Sequence, residues 1–292
     1  MFAKQYTAQE MMAVACAKEI INHDVVFVGI GIPMMAGLIA SKTHAPQSTL
    51  VYEAGGVGAI SRRMPWTISD NPTSENGLLA MEMWRIFSDT QRGLINKGII
   101  GGAQVDKYGN LNTTAIMGGK ATYDTPLVRL PGSGGANDIA SSCPETIIMM
   151  KLVKGKFVEK VDHITSPGYL TGAGAREKAG LKGRGPIALV CDKCVLRFDA
   201  QTKEMYLHTI FLNTTVEEVK SFFDWDLKVS DKLAVMDPPL ESEIDLIHKY
   251  DPNGVILGSK SGGRQETFDS FYESMKACYN SVDLNLTEYD EY

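Results

Sequence analysis

Ser48-Thr-Leu-Val-Tyr-Glu53-Ala-Gly-Gly-Val-Gly58 is an apolar run that ends on a carboxylate and breaks at once into glycines. Thr49 to Tyr52 reads as a buried strand. An acid at the tip of such a strand is costly unless it is solvated, paired or used. The glycines behind it allow another backbone or a ligand to come close. Glu53 is therefore a candidate nucleophile.

Reading outward, the same rhythm recurs. Thr7-Ala-Gln-Glu10 spells a capping box before an apolar-periodic helix through Ile21. Asp24-Val-Val-Phe-Val28 is a buried strand, Gly29-Ile-Gly-Ile-Pro33 a turn, and Met34 to Lys42 a helix. Gly77 to Ile95 suits a helix, with Ser74 or Asn76 as its cap. Gly98-Ile-Ile100, Thr146 to Leu152, Val161-Asp-His-Ile164 and Ile187 to Val190 read as further strands. Near-continuous apolar strands separated by helices imply an α/β protein with an open, mostly parallel sheet flanked by helices. Ligands in such sheets bind beyond the carboxyl ends of strands. Glu53, Gly29 to Gly31 and the glycines after Leu130 are expected there.

The 292 residues are 44% hydrophobic and 22% charged, with a net charge of −6. That balance gives no reason to expect nucleic acid. No run reaches the roughly 18 apolar residues of a membrane span. Met1 to Glu10 lacks the apolar core of a secretion signal, so a cytoplasmic location is expected. Cys16, Cys143, Cys191, Cys194 and Cys278 form an odd, scattered set that fits reduced thiols. Cys191-Asp-Lys-Cys194 has no second pair for a metal knuckle, and its flanks read as two strands of a hairpin. No His/Asp/Glu spacing suggests a metal site. A domain over 1–258 is expected, followed by a C-terminal extension, 259–292. The extension opens on a linker-like stretch, 259–264, and offers a short helix at 268–279 before an acidic tail.

The candidate chemistry rests on backbone donors and one acid. Gly29-Ile-Gly31 invites a dinucleotide reading, but Pro33 and Met34 break the fingerprint. Gly132-Ser-Gly-Gly-Ala-Asn137 can turn consecutive N–H groups toward one point. Such a nest is either an oxyanion hole or a tight structural turn. Gly101-Gly-Ala-Gln-Val-Asp-Lys-Tyr-Gly-Asn-Leu-Asn112 contains a tight turn at Asp106 to Asn110. Its Gln104 and Asn110, with Gly29 and Gly31, are candidate pocket residues. His163 is read as structural. Arg62, Arg63 and Arg129 either meet a second substrate carboxylate or are solvated, and solvation is favoured for Arg62 and Arg63.

These motifs, in this order, resemble the family I coenzyme A-transferases, above all the B (β) subunit of the glutaconate enzyme. The carriers are Val28-Gly-Ile-Gly-Ile-Pro33, the strand ending in Glu53, Gly101 to Asn110, Gly132 to Asn137, Thr146 to Met150 and Val161 to Gly168. The resemblance implies an open α/β fold of the NagB/RpiA-like kind and a catalytic Glu53. It implies an oxyanion or coenzyme A site at Gly134, Gly135, Ala136 and Asn137. It also implies a partner α subunit, an α2β2 or larger assembly, and acyl-CoA and carboxylate substrates with no tightly bound cofactor. Related oxoacid transferases carry their glutamate in Ser-Glu-Asn-Gly, the letters of Ser74 to Gly77 here. In the family the nucleophile lies one helix and one strand past the Gly-x-Gly-x-Pro turn, a position Glu53 meets and Glu75 does not. Ala54 stands where Ser or Asn is usual. The same scaffold also serves thioesterases, ring-opening C–C hydrolases and decarboxylases. A non-catalytic partner subunit is the remaining alternative.

Overall fold

The computed structural model describes residues 1–61, 63–119, 121–252, 254, 256–258, 272, 273 and 276. Arg62, the 259–264 stretch, the expected 268–279 helix as a unit and the acidic tail lie outside them. In chain order the helices are α1 (Ala8–Ala17), α2 (Ile32–Lys42), α3 (Met83–Gln91), α4 (Ala136–Ser142), α5 (Ala175–Lys178), α6 (Val216–Lys220) and α7 (Glu241–Tyr250). The strands are β1 (Val25–Val28), β2 (Thr49–Val51), β3 (Gly56–Val57), β4 (Leu79–Ala80), β5 (Lys97–Ile100), β6 (Gln104–Val105), β7 (Leu111–Asn112), β8 (Ala115–Ile116) and β9 (Val128–Arg129). They continue with β10 (Glu145–Met149), β11 (Pro186–Val190), β12 (Cys194–Phe198), β13 (Met205–Phe211) and β14 (Lys228–Met236).

Ten strands form one open sheet in the order β14-β13-β12-β11-β10-β5-β1-β2-β3-β4. The centre, β11-β10-β5-β1-β2, is parallel throughout. The flanks turn antiparallel at β2-β3-β4 and β11-β12-β13. The central strands are apolar on both sides because both are covered. Val26, Val28, Leu50, Ile147 and Met149 pack with α1, α2 and α7. Phe27, Val51, Ile100 and Ile148 pack with residues of α3 and α4. The expected α/β sheet is therefore observed.

Local signals decide the boundaries. Thr7 and Glu10 form both halves of the capping box. The helix they start ends at Ala17 rather than at Ile21. The Cys191–Cys194 turn joins β11 to β12 as an antiparallel hairpin, and both thiols are buried and free.

Several expectations need correction. Gly77 to Ala80 is not helical. Leu79 and Ala80 pair with Val57 and Gly56, and Met81 donates its N–H to Gly55. This hairpin commits the backbone, so α3 begins only at Met83, after an extended Glu82. Ser74 and Asn76 cap nothing there. Val161 to Ile164 forms no strand. The segment is held instead by Asp162, whose carboxylate accepts from Met117 N–H at 2.9 Å and the Gln104 amide at 3.1 Å. Arg63 is not simply solvated. It grips Asp70 with two hydrogen bonds of 2.9 and 3.2 Å.

The amino-terminal rim of the sheet carries a buried polar clamp. Lys97 Nζ, at the start of β5, donates to Asp24 Oδ2 at 2.6 Å and to Glu19 O at 2.8 Å. Asn96 donates to Asp24 Oδ1 at 2.7 Å and accepts from Val25 N–H at 2.6 Å. The ionic partners are each only 6% exposed. The clamp locks β1 to β5 and leaves the opposite rim clear.

Candidate active site

Chain order along β2-β1-β5-β10 reverses direction between β1 and β5. Loops leaving neighbouring strands diverge at such a point and open a crevice at the carboxyl rim. A cavity of about 600 Å³ lies there. Gly29 to Pro33 after β1, Gly101 after β5, Lys151 after β10 and Ser133 to Ala136 before α4 contribute to its wall. Glu53 lines it as well.

Glu53 is held by backbone. Gly55 N–H donates to Tyr52 O at 3.0 Å, and Tyr52 N–H donates to Gly56 O at 2.9 Å. The acid thus follows β2 as the second residue of a tight turn into β3. The glycines behind it receive this chain's own backbone. A Cβ at Gly55 would stand 1.6 Å from Met81 O, and one at Gly56 1.7 Å from Thr73 O. Gly55 also has φ +118°, a region glycine adopts at little cost. Tyr52 beside the acid is buried, which pushes its phenol up to about 12 and keeps it neutral.

Facing Glu53 is the glycine loop. Gly134 has φ +49° and Gly135 has φ −79°, ψ −6°. A left-handed then right-handed pair of this kind can turn successive N–H groups toward one point, as an anion-binding nest does. Ala136 N–H is already spent on Ser133 O at 3.0 Å. The Gly134 and Gly135 N–H groups make no hydrogen bond to a described residue. A Cβ at Gly135 would lie 3.0 Å from Glu53 Oε1 and 2.5 Å from Phe87 Cζ. Glycine at this position lets acid and loop come together.

The structure sorts the other expected residues. Gly29, Gly31, Gly134, Gly135 and Ala136 reach the cavity with Glu53. Asn137 does not line it, and its side-chain oxygen accepts from Ser141 at 3.1 Å. Gln104 and Asn110 are also absent from the wall. Gln104 bonds Asp162 and Asn112. Asn110 donates to Asp106 and Leu170 O, and accepts from the Gly168 and Leu170 N–H groups. Both amides pin loops, and burial pushes the Asp106 carboxyl up despite its donors from Asn110 and Tyr108. The glycines after Leu130 reach the site from a loop, because β9 pairs only with β8 outside the large sheet. Glu75 is not on the wall. Arg129 lies against the Tyr123 ring at 4.7 Å. His163 meets the same ring at a tilt of 45°, with centroids 5.8 Å apart. Sequence reasoning missed Phe87 and Lys151. Among the described residues no cluster of three His, Cys, Asp or Glu could hold a metal ion. No helix among them is long and apolar enough to cross a membrane.

An acid just past a strand end, unengaged N–H donors opposite and a largely apolar cavity wall suit acyl transfer. Comparison with known proteins agrees. The family model described as coenzyme A transferase matches residues 9–221. The B subunit of glutaconate CoA-transferase from Acidaminococcus fermentans is 37% identical over 259 residues, covering 86% of this chain and 95% of that protein. The B subunit of 3-oxoadipate CoA-transferase from Pseudomonas knackmussii is 34% identical over 261 residues, covering 89% and 99%. The crystal structure of glutaconate coenzyme A-transferase from Acidaminococcus fermentans superposes with a TM-score of 0.81 at 35% identity, covering 88% of this chain and 99% of the matched one. With the fold, the site and these matches in agreement, the chain belongs to the coenzyme A transferase family.

Proposed function

We propose that this chain is the β subunit of a heteromeric CoA-transferase and that Glu53 is its nucleophile. The carrying observation is the contact geometry at Gly135, which sets the Glu53 carboxylate against a nest with two unengaged N–H donors. The Glu53 carboxylate attacks the carbonyl carbon of an acyl-CoA thioester. The oxyanion forms against the Gly134 and Gly135 N–H groups, where one such donor is worth about 3 kcal/mol. The C–S bond breaks, CoA leaves as thiolate, and an acyl–Glu53 anhydride remains. The thiolate then attacks the Glu53 carbonyl and expels the acyl group as a carboxylate, leaving a Glu53–CoA thioester. A second carboxylate takes up CoA by the same steps in reverse. Water must stay out, because it hydrolyses either intermediate.

The α subunit is the proposed partner, in an α2β2 or larger assembly. An exposed apolar group on the β4–α3 segment supports a partner near the site: Leu78 is 80% exposed, Trp84 63% and Leu79 50%. We also propose a cytoplasmic location, which the four free, buried cysteines among the described residues support.

The test is to incubate the complex with acyl-CoA and determine the mass of this chain by mass spectrometry. A CoA adduct that maps to Glu53 and is absent in Glu53→Gln is expected. Turnover surviving in Glu53→Ala would sink the assignment.

A further inference from the structure

Arg176, on α5, is only 2% exposed, and among the described residues no carboxylate pairs with it. Its guanidinium donates instead to four main-chain carbonyls. Nη2 reaches Ala140 O at 3.1 Å and Lys182 O at 2.7 Å. Nη1 reaches Pro167 O at 3.1 Å and Gly168 O at 2.8 Å. A buried cation is costly unless it is hydrogen-bonded, and this one is spent on joining three separate stretches of backbone.

Two of those stretches lead to the glycine loop that faces Glu53. Ala140 lies about 7.5 Å along α4 from Gly135, and Ile139 N–H donates to Gly135 O at 3.1 Å between them. The last carbonyls of a helix have no partner inside it. Arg176 takes that of Ala140, and Lys182 N–H takes that of Ser141 at 3.1 Å. The other stretch runs to the start of the loop. Ser166 O accepts Leu111 N–H at 2.9 Å, Thr165 Oγ1 accepts Thr113 N–H at 2.9 Å, and Thr113 O accepts Gly132 N–H at 2.8 Å.

Resting on the transferase reading above, we propose that Arg176 is a positioning residue, which holds Gly132 to Gly135 against the Glu53 carboxylate by tying down both ends of that loop. A guanidinium presents its donors in one rigid plane, so it sets the angle between the segments it joins, whereas a lysine is a point charge on a flexible stem. The cation also suits the carboxyl end of α4. There is little slack at the far end of the helix, where a Cβ at Gly135 would lie 3.0 Å from Glu53 Oε1. A tilt of α4 therefore changes the distance between the acid and the loop N–H groups, and a misplacement of about 1 Å can cost about 100-fold in rate.

The experiment compares kcat and KM for acyl-CoA in the complex with its α partner, well below the Tm of each variant. Arg176→Lys keeps the charge and loses the fork, and Arg176→Met loses both. We expect kcat to fall roughly 10- to 100-fold in Arg176→Lys, and further in Arg176→Met, with KM within about threefold of wild type. Lys97→Ala is the control, because it weakens the clamp at the amino-terminal rim and should keep wild-type kcat while folded. Thr165→Val removes the hydroxyl that accepts Thr113 N–H, leaves Arg176 in place, and decides alone if the Arg176 variants do not assemble. The same loss of kcat without a change in KM is expected there. Wild-type kcat in folded Arg176→Lys or Thr165→Val overturns the proposal. So does a rise in KM with kcat intact, or an equal fall of kcat in Lys97→Ala, which makes the effect one of stability. Absence of a CoA adduct at Glu53 in the wild-type complex counts against the transferase reading alone.

Discussion

Gly135→Ala is the substitution in which packing and chemistry are most tightly joined. The residue sits at φ −79°, so alanine meets no backbone strain. The added methyl meets contacts instead. It would lie 2.5 Å from Phe87 Cζ, 2.9 Å from Phe87 Cε1 and 3.0 Å from Glu53 Oε1. Ordinary carbon–carbon contact is about 3.5–4.0 Å, so the ring must retreat by about 1 Å. Phe87 leans on Phe27 with ring centroids 5.7 Å apart, which limits the retreat. Overpacking of this kind costs about 1–3 kcal/mol. The ring meets the methyl with its tip and can pivot, so the low end is expected, about 1 kcal/mol. In a chain of 292 residues that lowers Tm by about 2 °C. The kinetic effect should be larger. Glu53 Oε1 must also give by a few tenths of an ångström relative to the glycine loop, in a geometry where a misplacement of about 1 Å can cost about 100-fold in rate. The complex is assayed for kcat with acyl-CoA and a carboxylate acceptor, and for Tm. We expect kcat to fall roughly 10- to 100-fold with a small loss of stability. Phe87→Leu in the same chain should restore Tm and leave kcat low, because the contact with Glu53 remains. Wild-type kcat in Gly135→Ala refutes the reasoning. Full recovery of kcat in the double variant moves the cause from the carboxylate to the ring.

The rim opposite the site and the Arg63 loop give two more expectations. Lys97→Ala leaves Asp24 charged, buried and without its ammonium, so a loss of about 3–5 kcal/mol is expected by denaturant unfolding. Asp24→Leu/Lys97→Met should lose much less, because no lone charge remains. Asp70 supplies a pH signature. Burial pushes its carboxyl up, but hydrogen bonds from Arg63, Trp66 N–H and Asn71 N–H, together with the Arg63 charge, hold it below its ordinary 3.8. A carboxylate with a depressed folded pKa contributes its full stability above the unfolded value and loses it as pH falls through the folded one. Asp70→Asn should therefore be less stable than wild type at about pH 6, with the gap closing below about pH 4. A gap that stays constant down to about pH 2 refutes this account.

The central fold was legible because each parallel strand announces itself as a short apolar run ending in glycine or in an isolated charge. Val25–Val28, Thr49–Val51 and Glu145–Met149 all read this way. Glu53 could be located for the same reason. Gly134 and Gly135 were legible as a tight glycine loop, with nest and structural turn left open, and the use of Ala136 N–H by Ser133 is a three-dimensional fact. The β4 edge strand was hidden, because the helical periodicity of the segment is overridden by pairing with Gly56 and Val57. The glycine doublet after Glu53 marked a close approach, yet the approaching groups belong to Met81 and Thr73. Lys97 and Asp24 lie 73 positions apart, and no local pattern links them. Gln104 and Asn110 looked like ligand-facing amides because sequence does not reveal which carbonyls and N–H groups surround a side chain. Phe87 and Lys151 were invisible as site residues because only the strand order brings their segments to Glu53.

The turn that presents Glu53 has a consequence for how such a protein can change. Carbonyl oxygens of Met81 and Thr73 press on Gly55 and Gly56, and peptide groups are the same whatever side chains they carry. Replacements at 73 and 81 can therefore accumulate while the Glu53 carboxylate keeps its place. Glycines 55 and 56 cannot drift with them. Side chains around the cavity are free to diverge about an anchored Glu53, so, on the proposed role of that acid, a new specificity can be installed without rebuilding the turn that presents it.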